Sequence, residues 1–333
     1  MLDQVLAAFA VTPDYDLNVM TPGQTLSQST ARIIQALEQP FAESKPDLAV
    51  VQGDTTSTLC GALAAFYSGV PVGHVEAGLR TGDLSQPFPE ELNRVLTARM
   101  ATLHFAATAS AAENLRREGI TERVWITGNT GIDAVLHVSD RLDRGELMAS
   151  GSAFGLDMQP GKRLILVTAH RRESFGEGFR RICQALARIA DRDDVHLVYP
   201  VHPNPNVQAI VNECLRSHPN ITLTEPLDYV PFVDLMRRAY LILTDSGGIQ
   251  EEGPSLGKPV LVLREKTERP EAVEAGTVKL VGTESDTIVR ESATLLDCPE
   301  EYQRMSRIHN PYGDGHASER IEAAISDYSK TAC

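Results

Sequence analysis

Short runs of consecutive apolar residues punctuate the chain, and segments of helical periodicity lie between them. The first series is DLAVVQGD (47–54), VPVGHVEAG (70–78), ATLHFAAT (101–108) and VWITGNT (124–130). The second is RLILVTAH (163–170), VHLVYPVH (195–202), ITLTEPL (221–227), YLILTDSGG (240–248) and PVLVLRE (259–265). Runs that are apolar on successive rather than alternate positions predict strands covered on both faces, and their alternation with helices predicts parallel βα units. The expected class is α/β, with two doubly wound parallel sheets in tandem. The polar, glycine-bearing stretch 137–163 lies between the two series and reads as their junction. HASERIEAAISDYSK predicts an amphipathic helix with Ile321, Ala324, Ile325 and Tyr328 on one face. Residues 1–19 read as the remainder of a helix followed by a loop, so the first series has no leading βα unit. From the usual size of such a unit, roughly 40 residues are expected to be missing ahead of it.

Charge and composition narrow the function classes. A formal net charge of −14 excludes the broad basic field that a nucleic-acid or anionic-membrane surface needs. An anionic ligand must therefore be held by a local cluster. Five cysteines, Cys60, Cys183, Cys214, Cys298 and Cys333, stand singly without CxxC spacing, which points away from a zinc site or a disulfide framework and toward a reducing cytoplasm. No apolar run approaches the roughly 20 residues of a membrane span, and the N-terminus lacks the layout of a signal peptide. A cytoplasmic location is the expectation.

Ligands of open parallel sheets bind beyond the carboxyl ends of the strands. QGD places Asp54 at one strand end and HVEAGLR places Glu76 at the next. Two readings are open: Asp54 caps the following helix and Glu76 pairs with Arg80 or Arg94, or the two form a reactive carboxylate set. In QPFPEELNR, Pro89, Glu90 and Glu91 suit a first helical turn, and Glu90 is also a candidate third member. LILVTAHRRESFGEGF ends a strand on His170, Arg171 and Arg172, either a solvated basic corner or an anion site. LILTDSGGIQEEG runs from a strand through Asp245-Ser246-Gly247-Gly248 into a helix. Glycines there admit a phosphate to free N–H groups at a helix N-terminus, Ser246 adds a hydroxyl, and Glu252 suits ribose hydroxyls. For PVHPNPNV and NPYGDGHAS the pattern supplies no mechanism, and His202 reads by default as a loop histidine.

Taken together, GDTTSTL, GHVEAGLRTGD, PEELNR, TAHRRESFG, VHPNPNV, TDSGGIQEE, TERPEAVEAGT and NPYGDG resemble, in order and over essentially the whole chain, the bacterial non-hydrolysing UDP-N-acetylglucosamine 2-epimerases. The resemblance implies a GT-B-like architecture of two Rossmann-like domains with a cleft between them. Residues 1–129 with a returning 318–333 helix would form the first domain and 130–317 the UDP-binding one. It implies a homodimer without metal, nicotinamide or other cofactor, converting UDP-N-acetylglucosamine to UDP-N-acetylmannosamine for surface polysaccharide by elimination of UDP to 2-acetamidoglucal and re-addition. Carried over by motif, Asp54, Glu76 and Glu90 are the carboxylates and His170 assists on the UDP side. Ser246, Gly247, Gly248 and Glu252 match the segment that holds diphosphate and ribose, Arg269 matches a substrate-binding, cleft-lining arginine, and Arg32, Arg171 and His202 match a second UDP-sugar site of some relatives. The strand and GTRPE-type turn with which relatives begin are not in this sequence, so a missed upstream start and a truncation are both open, and Ala169 stands where many relatives have glycine. Two alternative functions share the UDP cradle: a GT-B glycosyltransferase, which has no need of three carboxylates, and a catalytically impaired, truncated UDP-binding paralogue. A hydrolysing epimerase would instead release free N-acetylmannosamine.

Overall fold

The computed structural model describes residues 2–148, 161–171, 176–307 and 310–332. Arg172 and the turn that follows it, together with the middle of the expected 137–163 junction, lie outside the described residues. By internal contacts the chain forms two compact units, one of residues 11–130 and 315–333, the other of residues 1–10 and 131–314.

The first unit is built on a four-stranded parallel sheet of β1 (Ala49–Gln52), β2 (Val72–Val75), β3 (Leu103–Ala106) and β4 (Val124–Ile126), in that spatial order. β2 and β3 are buried along their whole length, His74 and His104 included, whereas the edge strand β1 leaves Val50 half exposed. The helix Ala317–Ala332 packs Ile321 and Ala324, with Ile325 and Tyr328, against Val75, Leu103, Phe105 and Trp125, so the apolar stripe read in the sequence covers this sheet.

The second unit carries six parallel strands, β5 (Arg163–Thr168), β6 (Val195–Pro200), β7 (Ile221–Thr224), β8 (Leu241–Thr244), β9 (Val260–Val262) and β10 (Val278–Leu280). Their spatial order is β10-β9-β8-β5-β6-β7. Numbered from β5, this is the 3-2-1-4-5-6 order of a dinucleotide-type sheet, and its topological switch point lies between β5 and β8. Five strands were expected here. The sixth is a three-residue edge strand interrupted by Lys279, too short and too polar to stand out as an apolar run. Ile132, Val135 and Val138 of the helix Thr130–Asp143 are buried in this unit, so that helix belongs with the six-stranded sheet. The helix Leu2–Ala8, expected with the first sheet, also lies here: Phe9 stacks on His137 with ring centroids 5.7 Å apart and meets Tyr229. No helix among the described residues is long and apolar enough to cross a membrane.

Candidate active site

In the four-stranded unit, register brings together the strand ends that lead into the first two carboxylates. Gln52 of β1 pairs with Val75 of β2, so the next residues, Gly53 and Glu76, leave the sheet side by side. A Cβ on Gly53 would stand 3.5 Å from Glu76 Oε2, and Gly53 itself takes a φ of +72°. Glu76 also has a left-handed φ of +64°; a long side chain held in that region is uncommon, and such strain gathers where a side chain must be aimed. Asp54 follows Gly53, and Arg94 Nη2 reaches Asp54 Oδ2 at 2.6 Å while Asn93 Nδ2 donates to the Asp54 carbonyl at 2.9 Å.

Both Asn93 and Arg94 belong to the helix Glu90–Met100, and Glu90 sits one turn earlier on it. The helix is itself pinned by Glu91. This buried carboxylate accepts the Thr81 and Gly82 amides at 3.0 Å and faces Arg94 Nη1 at 3.3 Å. Beneath the turn, His74 Nε2 donates to the Gly53 carbonyl at 2.8 Å, and burial lowers the His74 pKa to about 4, so the ring is neutral.

The structural reading of Asp54 and Glu76 that the sequence left open is revised in detail. Thr55, not Asp54, caps the helix Thr56–Tyr67, its hydroxyl accepting Thr58 N–H at 3.2 Å. Arg80 forms a two-pronged pair with Glu118 at 2.6 and 3.0 Å, and Arg94 binds Asp54. The partner choices depend on residues some 40 positions apart, which local pattern does not reveal.

In the six-stranded unit the switch point gathers the other expected residues. Thr168 and Thr244, paired across β5 and β8, share a hydroxyl hydrogen bond at 2.6 Å, and Ser246 N–H donates to Thr244 Oγ1 at 2.9 Å. Ser246 then stands at the N-cap of the helix Gly247–Ser255, and its hydroxyl makes no capping bond. The helix begins on two glycines. A Cβ at Gly247 would contact the Arg269 guanidinium at 3.5 Å and one at Gly248 would contact Glu252 Oε1 at 3.7 Å, so Arg269 and Glu252 flank the first turn of this helix. A helix N-terminus beside an arginine is a site for a diphosphate.

Arg269 is held there by Glu251, with Nε 2.7 Å from Oε1. Burial, and then the neighbouring Glu251 charge, raise the Glu252 pKa to about 7. NPYGDG, which the pattern left without a mechanism, buttresses this corner. Asn310 donates to the Glu251 carbonyl at 2.6 Å and accepts Tyr312 N–H at 3.0 Å, and the buried Tyr312 donates to Glu271 at 2.9 Å.

His170 and Arg171 follow β5 across from Ser246. His170 stacks on His202, with ring centroids 5.1 Å apart and an interplanar angle of 9°, so His202 is more than a loop histidine: it covers the candidate catalytic ring. Burial lowers the His170 pKa and the Asp245 carboxylate opposes that shift. Arg32 lies in the other unit, exposed on the helix Leu26–Ser44 with Nη1 2.9 Å from Thr21 Oγ1. Among the described residues no group of three or more His, Cys, Asp or Glu side chains is placed to hold a metal ion. Sequence reasoning missed Glu91, Glu251 and Asp245 as supports, and it named Arg94 as a partner of Glu76 where the structure shows it binding Asp54. Each is an ion-pair or amide-binding residue, recognisable only once the strand ends are assembled.

Comparison with known proteins places this geometry in a lineage. A family model described as UDP-N-acetylglucosamine 2-epimerase matches residues 1–326. A Salmonella typhimurium protein named UDP-N-acetylglucosamine 2-epimerase is 57% identical over 331 residues, covering 98% of this chain and 88% of its own. An Escherichia coli K12 protein of the same name is 57% identical over 328 residues, covering 98% and 87%. The crystal structure of UDP-GlcNAc 2-epimerase from Neisseria meningitidis bound to UDP-GlcNAc superposes with a TM-score of 0.90 at 47% identity, covering 98% of this chain and 88% of that one. The fold is thus GT-B-like. With a carboxylate-bearing sheet edge, a Gly-Gly helix start at a switch point and near-full-length identity above one half all in agreement, the chain belongs to the UDP-N-acetylglucosamine 2-epimerase family.

Proposed function

We propose that the chain interconverts UDP-N-acetylglucosamine and UDP-N-acetylmannosamine by elimination and re-addition. The C2 proton of the sugar is too weakly acidic for simple abstraction, because no carbonyl adjoins it. Breaking the C1–O bond sends its electron pair to the UDP oxygen and leaves positive charge at C1, which makes the C2 proton removable. A carboxylate takes that proton, the C–H electron pair forms the C1=C2 bond, and 2-acetamidoglucal and UDP result. Protonation of C2 from the opposite face, with UDP oxygen adding to C1, gives the epimer.

Asp54, Glu76 and Glu90 exchange the proton and stabilise oxocarbenium-like charge. His170 stabilises the departing diphosphate, whose phosphates rest on Ser246, Gly247, Gly248 and Arg269, with Glu252 accepting from the ribose hydroxyls. The observation that carries this reading is that Glu76 leaves the sheet beside Gly53, the residue before Asp54, where a Cβ would stand 3.5 Å from Glu76 Oε2, in a chain whose other sheet presents a helix N-terminus at its switch point. On the motif resemblance alone, the proposed enzyme is homodimeric and cytoplasmic, uses no cofactor and supplies surface polysaccharide synthesis. The stacking of His202 on His170 beside Arg171 supports a role for those two residues next to the nucleotide, and Arg32 is carried over from the motif resemblance as a candidate for binding a second UDP-sugar.

The test is conversion of UDP-N-acetylglucosamine followed by proton NMR. Asp54→Asn and Glu76→Gln each lower kcat by about 10²-fold or more while UDP affinity stays within about threefold. Unchanged kcat in both variants contradicts the reading.

A further inference from the structure

The most constrained charged group in the six-stranded unit is one to which the preceding mechanism assigns no task. Asp245 is fully buried at the end of β8. Its Oδ2 accepts the His170 and Arg171 amides at 2.6 and 2.7 Å, and its own N–H donates to the Thr168 carbonyl at 3.0 Å. The other oxygen, Oδ1, receives no hydrogen bond among the described residues and faces His170 Nδ1 at 3.5 Å.

A buried carboxylate with one oxygen unsatisfied is costly and is retained only where something offsets it. The two amides account for Oδ2 and fix the backbone of the β5 turn. Among the described residues the imidazole stands before Oδ1, at a separation that a small ring rotation closes to hydrogen-bond length, as catalytic hydrogen bonds loose in a ligand-free site do on binding.

We infer that Asp245 is the positioning residue for His170: it holds the His170 backbone through two amides and keeps a proton on Nδ1, leaving Nε2 as the nitrogen that serves the departing diphosphate. The inference rests on the proposed role of His170. The remaining charged or titratable groups around the ring, among the described residues, are His202, stacked on it, and Arg171, both of which oppose its protonation. Tyr199, whose hydroxyl donates to the Ala169 carbonyl, is held neutral chiefly by burial. Among the described residues Asp245 is thus the one group facing the ring that favours the imidazolium which forms as UDP departs.

Selective ¹⁵N-histidine labelling, with His170→Asn to assign the resonance, reads the tautomer directly in the intact enzyme. In the unsubstituted protein His170 carries its proton on Nδ1; a proton on Nε2 in the neutral ring overturns the proposal without recourse to any variant. Asp245→Asn keeps a carbonyl oxygen for the two amides but turns an NH₂ donor toward Nδ1. The expected result is a switch to the Nε2–H tautomer, a fall of about one unit or more in the imidazole pKa, and a kcat about 10²-fold lower with KM within about threefold. A merely structural Asp245 would leave tautomer and titration unchanged, and that result refutes the inference. The two readings fail separately. Full activity in His170→Asn removes the role proposed for His170 while leaving the tautomer switch intact; an inactive His170→Asn alongside an Asp245→Asn protein with unaltered tautomer and kcat removes the role of Asp245 alone.

Discussion

Glu252→Gln separates the cost of a covered carboxylate from its use. In the ligand-free protein, burial and the Glu251 charge move the Glu252 pKa from 4.5 to about 7. Because the folded value lies above the unfolded one, the stability associated with the neutral acid is complete below the unfolded pKa and is lost as pH rises through the folded pKa. At 1.36 kcal/mol per unit the full linkage is about 3 kcal/mol, and since Glu252 keeps part of its surface in solvent, about 2 kcal/mol is expected. Glutamine preserves the shape and abolishes the ionisation.

The variant should therefore be more stable than the parent by under about 1 kcal/mol near pH 5 and by about 2 kcal/mol near pH 8.5. For a unit of this size that is roughly 4–8 °C in Tm. Scanning calorimetry is the assay, and the transition that UDP raises identifies the unit holding Glu252. UDP binding should move in the opposite direction, weakening roughly tenfold as charge-assisted bonds to ribose are lost. If the stability difference does not grow with pH, the reasoning about a covered, repelled carboxylate is wrong.

Three further outcomes follow from the four-stranded unit. His74 and His104 are both buried and their pKa values fall to about 4, desolvation being the main cause in each; the unfolded chain takes protons first, so each neutral ring contributes about 3 kcal/mol near neutral pH that is lost as pH falls from about 6.5 through 4. Urea unfolding of this unit should weaken steeply over that window, and His104→Gln should remove about half of the dependence; a flat profile contradicts it. Arg94→Met strips the cation from Asp54 and from buried Glu91, which costs about 3 kcal/mol by chemical unfolding and lowers kcat with it; a change in neither refutes the assignment. Gly78→Ala would place a Cβ 2.1 Å from the Ala111 carbonyl oxygen at a φ of +90°, so a destabilisation of about 3 kcal/mol or more is expected, and a loss under about 1 kcal/mol would show that the helix Ala109–Arg117 yields there.

The strands were legible because apolar runs of consecutive residues are how two-sided burial is written, and β1 to β9 each fall inside such a run. The positions of Asp54, Glu76, His170 and Ser246 followed, since a residue that ends a parallel strand faces the ligand edge whatever its partners. What pattern does not carry is the choice of partner. Thr55 outcompetes Asp54 for the cap, Glu118 takes Arg80, and Phe9 carries the first helix to His137 and Tyr229. Each is decided by surfaces remote in sequence. Asp245 shows the same limit: in the chain it is one more residue before a Gly-Gly turn, and only the pairing of β5 with β8 brings it to the His170 and Arg171 amides.

The most direct measurement follows the hydrogen at C2. With UDP-N-acetylglucosamine and the protein in deuterated water, the account predicts that solvent deuterium enters C2 of both epimers, that 2-acetamidoglucal and UDP are detectable as released intermediates, and that Asp54→Asn and Glu76→Gln suppress all of this. Formation of the epimer with the original C2 hydrogen retained, or exchange undiminished in both variants, would contradict it.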